Sequence, residues 1–422
     1  IPASSKTDNY KVRVKGKPFV TPLITVRKFE DVNGNGIWDT SEPQIGVDKL
    51  INGGGWPFSV LDPLSVLNNY FTPQTVTAPT SGVYNVTEEI LAGWNQTAAR
   101  LDNVYLSVKP SVLVNVIGTS AETHEVVFGN FNCFNITGEK INDLDGDGSN
   151  DAEPGIAGWN ITLLRNGLPY TSTLTDSNGS YGFNVCAGGN YTVREEDRIN
   201  WNHTSQQQFS FIAQSGVNQQ FDFLNFQCLI VSGHKFEDII GNGNFDVGDT
   251  GISNWTIFLQ RNSQNLSNTQ TDNSGFYSFL ICQGGNYTVS EEDKNDWIHT
   301  SQTSFNFTAI SGNNQTFDFF NFGCFDLEVR KNYDADKDGN FGEINECRIE
   351  GWNFTVFRDS TEVANLITNT SGVATLHLCV PGNYTVVDNG RAGWQHTSPA
   401  DGILQFQALS RTSQPLNFGN VQ

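Results

Sequence analysis

A short acidic loop punctuated by glycine recurs four times along this chain, each time behind a strand-like segment, so the fold is built from repeats. The first copy is Asp31-Val-Asn33-Gly-Asn35-Gly36, followed by Asp39 and Glu42. The second is Asp143-Leu-Asp145-Gly-Asp147-Gly148, with Asp151 and Glu153. The third is Asp238-Ile-Ile240-Gly-Asn242-Gly243, with Asp246 and Asp249, and here Ile240 replaces a polar side chain. The fourth is Asp334-Ala-Asp336-Lys-Asp338-Gly339, with Asn340, Glu343 and Glu346. Oxygen-bearing side chains at every second residue, a glycine for a sharp turn and later carboxylates are how a chain wraps one Ca²⁺. The first copy fits the whole EF-hand loop pattern, with Glu42 at its last ligand position. The setting is not an EF-hand, because Ile24-Thr-Val-Arg-Lys-Phe29 and Ile230-Val-Ser-Gly-His-Lys-Phe236 are β-branched strands and no helical period flanks the loops. Asp/Asn/Gly runs are ordinarily solvated turns. Four copies at one place in four repeats instead predict four Ca²⁺ sites with these side chains as ligands.

Three repeats align almost without gaps. Residues 135–226 pass from a strand through the acidic loop to Gly158-Trp159, Gly179-Ser-Tyr181, Cys186, Tyr191-Thr-Val-Arg-Glu195, Trp201 and a closing Phe221-Asp-Phe-Leu-Asn225-Phe226. Residues 230–322 repeat this with Trp255, Tyr277, Cys282, Tyr287, Glu291, Trp297 and Phe322, and residues 326–421 with Trp352, Cys379, Tyr384, Asp388, Trp394 and Phe418. Short alternating strands with turn signals between them predict an all-β fold of four tandem Ig-like β-sandwiches, with the two tryptophans of each repeat in the core. The expected boundaries are an N-terminal arm over 1–22, a divergent first domain over 23–131, and repeats over 132–226, 227–322 and 323–422. Junctions of only a few residues predict an elongated, stiff rod.

The formal charge of −21 argues against nucleic acid and anionic membranes as partners. No apolar run reaches the ~18 residues of a membrane span. With no Met anywhere and Ile1 in first place, a processed product is expected. Asn-X-Ser/Thr sequons begin at Asn85, Asn95, Asn135, Asn160, Asn178, Asn190, Asn202, Asn254, Asn265, Asn286, Asn306, Asn314, Asn353, Asn369 and Asn383, which predicts a secreted surface carrying N-linked glycans wherever the Asn faces outward.

Cysteine spacing follows the repeats. Cys133 with Cys186, Cys228 with Cys282 and Cys324 with Cys379 each join an opening strand to the same later strand. Pairing Cys186 with Cys228 and Cys282 with Cys324 is also regular but strands Cys133 and Cys379, so pairing within repeats is expected. Each such loop stabilises its domain by roughly 4 kcal/mol in the chain-entropy model and implies an oxidising, extracellular compartment. Cys347 is left over, either free and buried or paired between chains.

Lys28-Phe-Glu-Asp-Val-Asn-Gly-Asn-Gly-Ile-Trp-Asp39, Glu153-Pro-Gly-Ile-Ala-Gly-Trp159, Gly189-Asn-Tyr-Thr-Val-Arg-Glu195 and Phe128-Gly-Asn-Phe131 resemble the B-type repeat domains of serine–aspartate-repeat adhesins and related prokaryotic surface proteins. The resemblance covers everything after residue 22. It implies a prealbumin-like β-sandwich that binds Ca²⁺ and serves as a rigid surface spacer.

The first repeat departs from the others. It lacks the cysteine hairpin, and residues 52–79 and 101–116 read as an insertion and a lengthened segment. Ahead of it Tyr10-Lys-Val12-Arg-Val14 alternates like a strand among Lys6, Lys15 and Lys17. That arm is either a terminal strand folding back on its own domain or a strand donated to a sheet of a neighbouring subunit, with Tyr10, Val12 and Val14 filling pockets. The six histidines are scattered and no nucleophile, metalloprotease or phosphate motif occurs, so no enzyme is expected. The recurring pairs Glu88-Glu89, Glu195-Glu196 and Glu291-Glu292 read as structural support. The function expected is a structural subunit of a glycosylated, calcium-stiffened extracellular filament on the cell surface, assembled head-to-tail from copies of itself by strand donation. The alternative is the stalk of a cell-surface adhesin, with an exposed apolar or aromatic cleft within 50–80.

Overall fold

Strands such as Phe134–Asn142 alternate buried and exposed residues because apolar side chains recur at every second position. The computed structural model describes residues 20–118 and 121–422, none of them helical, and its strands form β-sandwiches. Two compact units are distinguished. One comprises the described residues up to Asn142 with Asn150–Arg198 and Ser205–Leu224, and the other Asp143–Ser149, Ile199–Thr204 and Asn225–Gln422.

In the first unit, the first domain packs a five-stranded sheet on a four-stranded one. The order is Gln74–Thr77, Leu23–Glu30, Thr123–Asn132, Trp94–Leu101, Val104–Leu106 in one, and Leu67–Phe71, Pro57–Leu61, Gly82–Glu88, Ser111–Val116 in the other. The second repeat places Leu168–Leu174, Asn160–Arg165, Asn190–Glu195 and Gln208–Ile212 in one sheet, and pairs Phe134–Asn142 with Ser180–Val185. In the second unit, the third repeat orders Gln264–Gln270, Thr256–Arg261, Gly285–Glu291 and Ser304–Ala309, opposite a sheet centred on Leu229–Glu237. The fourth sets Val373–Leu378, Phe325–Tyr333, Gln414–Val421, Gln395–Ser398 over Thr361–Ile367, Asn353–Arg358, Asn383–Asp388, Ile403–Gln407. Opening and closing strands run parallel, side by side, in the first, third and fourth domains.

Residues 52–79 are not an insertion. Trp56 is the counterpart of Trp159, Trp255 and Trp352: each is buried, and each donates its backbone N–H to the hydroxyl oxygen of a threonine sixteen residues on. Pro57–Leu61 and Leu67–Phe71 form the usual hairpin, and the four-residue Gln74–Thr77 stands where the cysteine-bearing strand stands elsewhere. The domain has therefore lost the cysteine but not the strand. The second tryptophan of a repeat is half-buried and packs edge-on against the first, with centroids 5.1 Å apart for Trp56–Trp94, 5.5 Å for Trp255–Trp297 and 5.3 Å for Trp352–Trp394.

Disulfides join Cys133–Cys186, Cys228–Cys282 and Cys324–Cys379, each within one repeat. Cys347 is free and exposed rather than buried.

Successive repeats are latched by one serine. The N–H of Ser215 donates to Val32 O, that of Ser311 to Leu144 O and that of Ser410 to Ile239 O, each over 2.9 Å, and each acceptor is the second residue of an acidic loop. The Ser215 hydroxyl donates to Glu30 and accepts from the Asn132 N–H, while that of Ser410 donates to Glu237 and accepts from the Gly323 N–H. Gly146 has φ +72° and its Cα faces Gly284, so a Cβ there would meet the Gly284 backbone at 2.7 Å. Replacing Ser410 by Ala strips a buried N–H and a carboxylate of their partner, a loss of about 1–3 kcal/mol. The expected result is faster amide hydrogen exchange at Gly323 and Ser410, with the protection of strand Gln414–Val421 unchanged.

Candidate functional sites

The first aspartate organises each acidic loop. Its carboxylate turns inward and accepts backbone N–H groups from the loop's own residues: Asn35 and Gly36 on Asp31, Gly146 and Gly148 on Asp143, Gly241, Asn242 and Gly243 on Asp238, and Gly339 on Asp334. The glycines at the fourth and sixth positions of the first three loops all have φ near +70° to +80°, which lets the chain curl around that carboxylate. A late carboxylate closes three of the loops. Glu42 accepts from Val32 and Asp39, Asp249 from Ile239 and Asp246, and Glu346 from Ala335 and Glu343.

The four loops differ in what they gather. Asp143, Asp145 and Asp147 bring carboxylate oxygens within 4.8 Å of one another, as do Asp334, Asp336 and Glu346, and Asp336, Asp338 and Glu343. In the first loop the amides of Asn33 and Asn35 instead donate to Asp39, and in the third Asn242 donates to Asp246. Asp151 is exposed, Glu153 half-buried and Asn340 exposed, its amide on Asp338. Crowding shows in the protonation of Glu343, whose carboxyl is pushed up by the charges of Asp338 and Asp336. Burial, the largest cause, raises that of Glu42. Asp334 is buried, and its Oδ1 accepts no hydrogen bond among the described residues. Inward carboxylates, an orphan acceptor and oxygen donors at alternate residues fit a hard, oxygen-seeking divalent cation. The cluster of Cys324, His377 and Cys379 is different, because its two sulfurs are bonded to each other.

None of the sequon asparagines is buried; Asn85, Asn160 and Asn202 are half-buried and the others exposed. Tyr10, Val12 and Val14 lie outside the described residues. The recurring acid pairs have a structural meaning. The second member receives the indole N–H of the core tryptophan on its backbone carbonyl: Glu89 from Trp56, Glu196 from Trp159 and Glu292 from Trp255. The first member turns inward onto a buried lysine: Glu88 onto Lys28, Glu195 onto Lys140 and Glu291 onto Lys235. In the fourth repeat Asp388 does both tasks, with Lys331 and Trp352 on its two oxygens. The sequence carries one signal for these lysines: each of the four lies three residues ahead of a loop's first aspartate.

Residues 137–223 and 231–332 match the family described as the SdrD B-like domain. Serine-aspartate repeat-containing protein D of Staphylococcus aureus strain MW2 is 26% identical over 418 residues, covering 87% of this chain and 30% of that protein. Serine-aspartate repeat-containing protein F of Staphylococcus epidermidis is 26% identical over 309 residues, 66% of this chain and 17% of that protein. The chain thus spans less than a third of the length of these relatives. Among solved structures, the Bacillus anthracis TIE protein shares 15% identity at a TM-score of 0.35, covering 87% of this chain and 68% of that one. BcpA, the major pilin subunit of Bacillus cereus, shares 10% at 0.33, covering 68% and 99%. Over residues 137–223 and 231–332, this chain therefore resembles the SdrD B-type, prealbumin-like repeat domain.

Proposed function

We propose that the chain is a structural subunit of an extracellular surface filament, in which Ca²⁺ held by the acidic loops stiffens the array and glycans cover its outward faces. It is a repeat-built surface protein of the adhesin and pilin kind, and the role proposed is mechanical rather than catalytic. The observation that carries this reading is the serine latch, made three times in the same way between one acidic loop and the next repeat. A cation in such a loop, held by Asp143, Asp145 and Asp147 or by Asp334, Asp336 and Glu346, offsets the repulsion of the gathered carboxylates. The loop that it orders is also the surface on which the next repeat docks.

Assembly is proposed to run through the basic arm, with residues 10–20 adding as a strand to an exposed sheet edge of another copy. The sandwiches described here are complete, the first included, so the arm adds to an edge rather than filling a missing strand. One observation favours the adhesin-stalk reading instead. Phe58, Tyr70 and Phe71 line a depression of about 390 Å³ in the first domain, and Phe71 is exposed. Exposed apolar surface of this kind marks binding faces.

Chelation should lower the melting temperature, because a ligand bound only by the folded state stabilises it. Calorimetry with and without excess chelator, alongside metal analysis of the purified protein, measures this; an unchanged melting temperature with no bound Ca²⁺ would remove the cation from the account. Deleting residues 1–21 should leave folded domains that no longer polymerise, seen by electron microscopy. Filaments formed by the truncated chain would sink strand donation and favour the stalk.

A further inference from the structure

The outer face of one sheet changes character in the third repeat. Its opening strand Leu229–Glu237 pairs with Phe276–Ile281, and the register sets Ile230 beside Leu280, Ser232 beside Ser278 and His234 beside Phe276. These side chains face away from the core, since the residues between them, such as Val231, Tyr277 and Phe279, are buried. The matching pairs are Asn135 with Asn184 and Glu139 with Ser180 in the second repeat, and Asp326 with His377 and Arg330 with Val373 in the fourth. Polar and charged groups thus occupy in those repeats the positions that are largely apolar in the third.

Aromatic rings continue the stripe. His234 lies 5.3 Å from Phe236 and 5.4 Å from Phe276, and Phe236 lies 4.7 Å from Phe245 and 5.3 Å from Phe320, centroid to centroid. Leu280 is 61% exposed and Phe245 62%. Phe245 belongs to the third acidic loop, the one in which Ile240 replaces an oxygen donor. A contiguous exposed apolar stripe of this kind marks an interaction face. The strand Phe276–Ile281 is also an edge. It pairs with Leu229–Glu237 on one side, and among the described residues no strand pairs with its other side. Unpaired main-chain groups at such an edge are a template for a further strand.

Charge and spacing select the strand that fits. Residues 227–322 carry ten carboxylates against three lysine or arginine side chains. Two of them border the stripe. Asp318 accepts the backbone N–H of His234 over 2.7 Å, and Asp272 accepts that of Phe276 over 3.0 Å. Residues 1–20 have the opposite balance, five lysine or arginine side chains against Asp8 alone. There Tyr10, Val12 and Val14 alternate with Lys11, Arg13 and Lys15. Apolar side chains at every second residue match the spacing of Phe276, Ser278 and Leu280 along the edge.

We propose that Phe276–Ile281 of the third repeat is the edge to which residues 10–15 of another copy add as a strand. Tyr10, Val12 and Val14 extend its apolar face, and the basic residues between them meet an acidic domain. This rests on the strand donation proposed above and names its acceptor. Main-chain hydrogen bonds supply attachment, while the apolar face selects this repeat over the second and fourth, whose corresponding edges carry Asn184 and His377. The contact is heterologous, because each copy offers an arm to one neighbour and an edge to another, so it propagates.

Photocrosslinking of the full chain carrying Val12→benzoylphenylalanine, in a mixture of heavy-isotope-labelled and unlabelled copies, tests this. Peptide mapping is expected to find links between copies, from position 12 to Phe276–Ile281 or to Ile230. Phe245→Ser combined with Leu280→Ser should raise the concentration at which filaments form by on the order of tenfold with little change in melting temperature. Leu174→Ser, at an exposed position of the second repeat, should leave that concentration unchanged. Links between copies to Ser180–Val185 or Val373–Leu378, with filaments lost on deletion of residues 1–21, would overturn this acceptor and leave strand donation standing. Links within one copy only, or filaments formed by the truncated chain, would overturn both. If the double variant does not fold, the crosslink map decides by itself.

Discussion

A lysine amine sealed from water needs a partner of opposite charge and something to occupy its remaining protons, since an unpaired buried charge is costly by several kcal/mol. The interior of each sandwich is arranged around that need. The carboxyl group comes from one sheet, the amine from the other, and a tryptophan face covers the amine. A slip of one residue along the opening strand would turn the lysine out and drive its neighbours in. The buried group therefore fixes register as well as occupying the core, and it does so most strictly where opening and closing strands run together.

That register carries outward. The asparagine whose side chain faces the lysine also offers its backbone carbonyl to the first aspartate of the acidic loop: Asn130 to Asp31, Asn321 to Asp238, Asn420 to Asp334. The aspartate gathers the loop's N–H groups, and the loop's second carbonyl receives the serine of the next repeat. Core, loop and latch are thus one run of hydrogen bonds starting from the closing strand. The lysine itself stands only three residues of chain ahead of the loop's first aspartate.

The repeats, the acidic loops, the core tryptophans and the cysteine partners were legible in the sequence because each depends on residue type at fixed spacing. The first domain was misread for the same reason. Leu67-Asn-Asn-Tyr-Phe71 is a strand with little alternation, and its exposed residues identify it only by pairing with Pro57–Leu61. Without a cysteine to mark it, the short Gln74–Thr77 gave no signal, although Trp56 was available as an anchor. The latch serines were hidden among many Ser-Gly turns, and only the third dimension distinguishes Ser215 and Ser311 from them. The acid pairs were legible as structural support, but the buried lysines, Lys28 and Lys331 among them, are known to face a carboxyl group only once the opposite sheet is in place.

Parallel pairing of opening and closing strands has a mechanical consequence. Two parallel neighbours have the start of one and the end of the other at opposite ends of the pair, so tension applied through a domain's termini pulls the strands past each other along their length. The ladder from Leu23 to Glu30, or from Leu327 to Tyr333, is then loaded as a whole rather than peeled rung by rung. Resistance in that geometry is set by the rate at which the whole ladder gives way, not by its equilibrium stability. The first, third and fourth domains are thereby suited to bear steady pull.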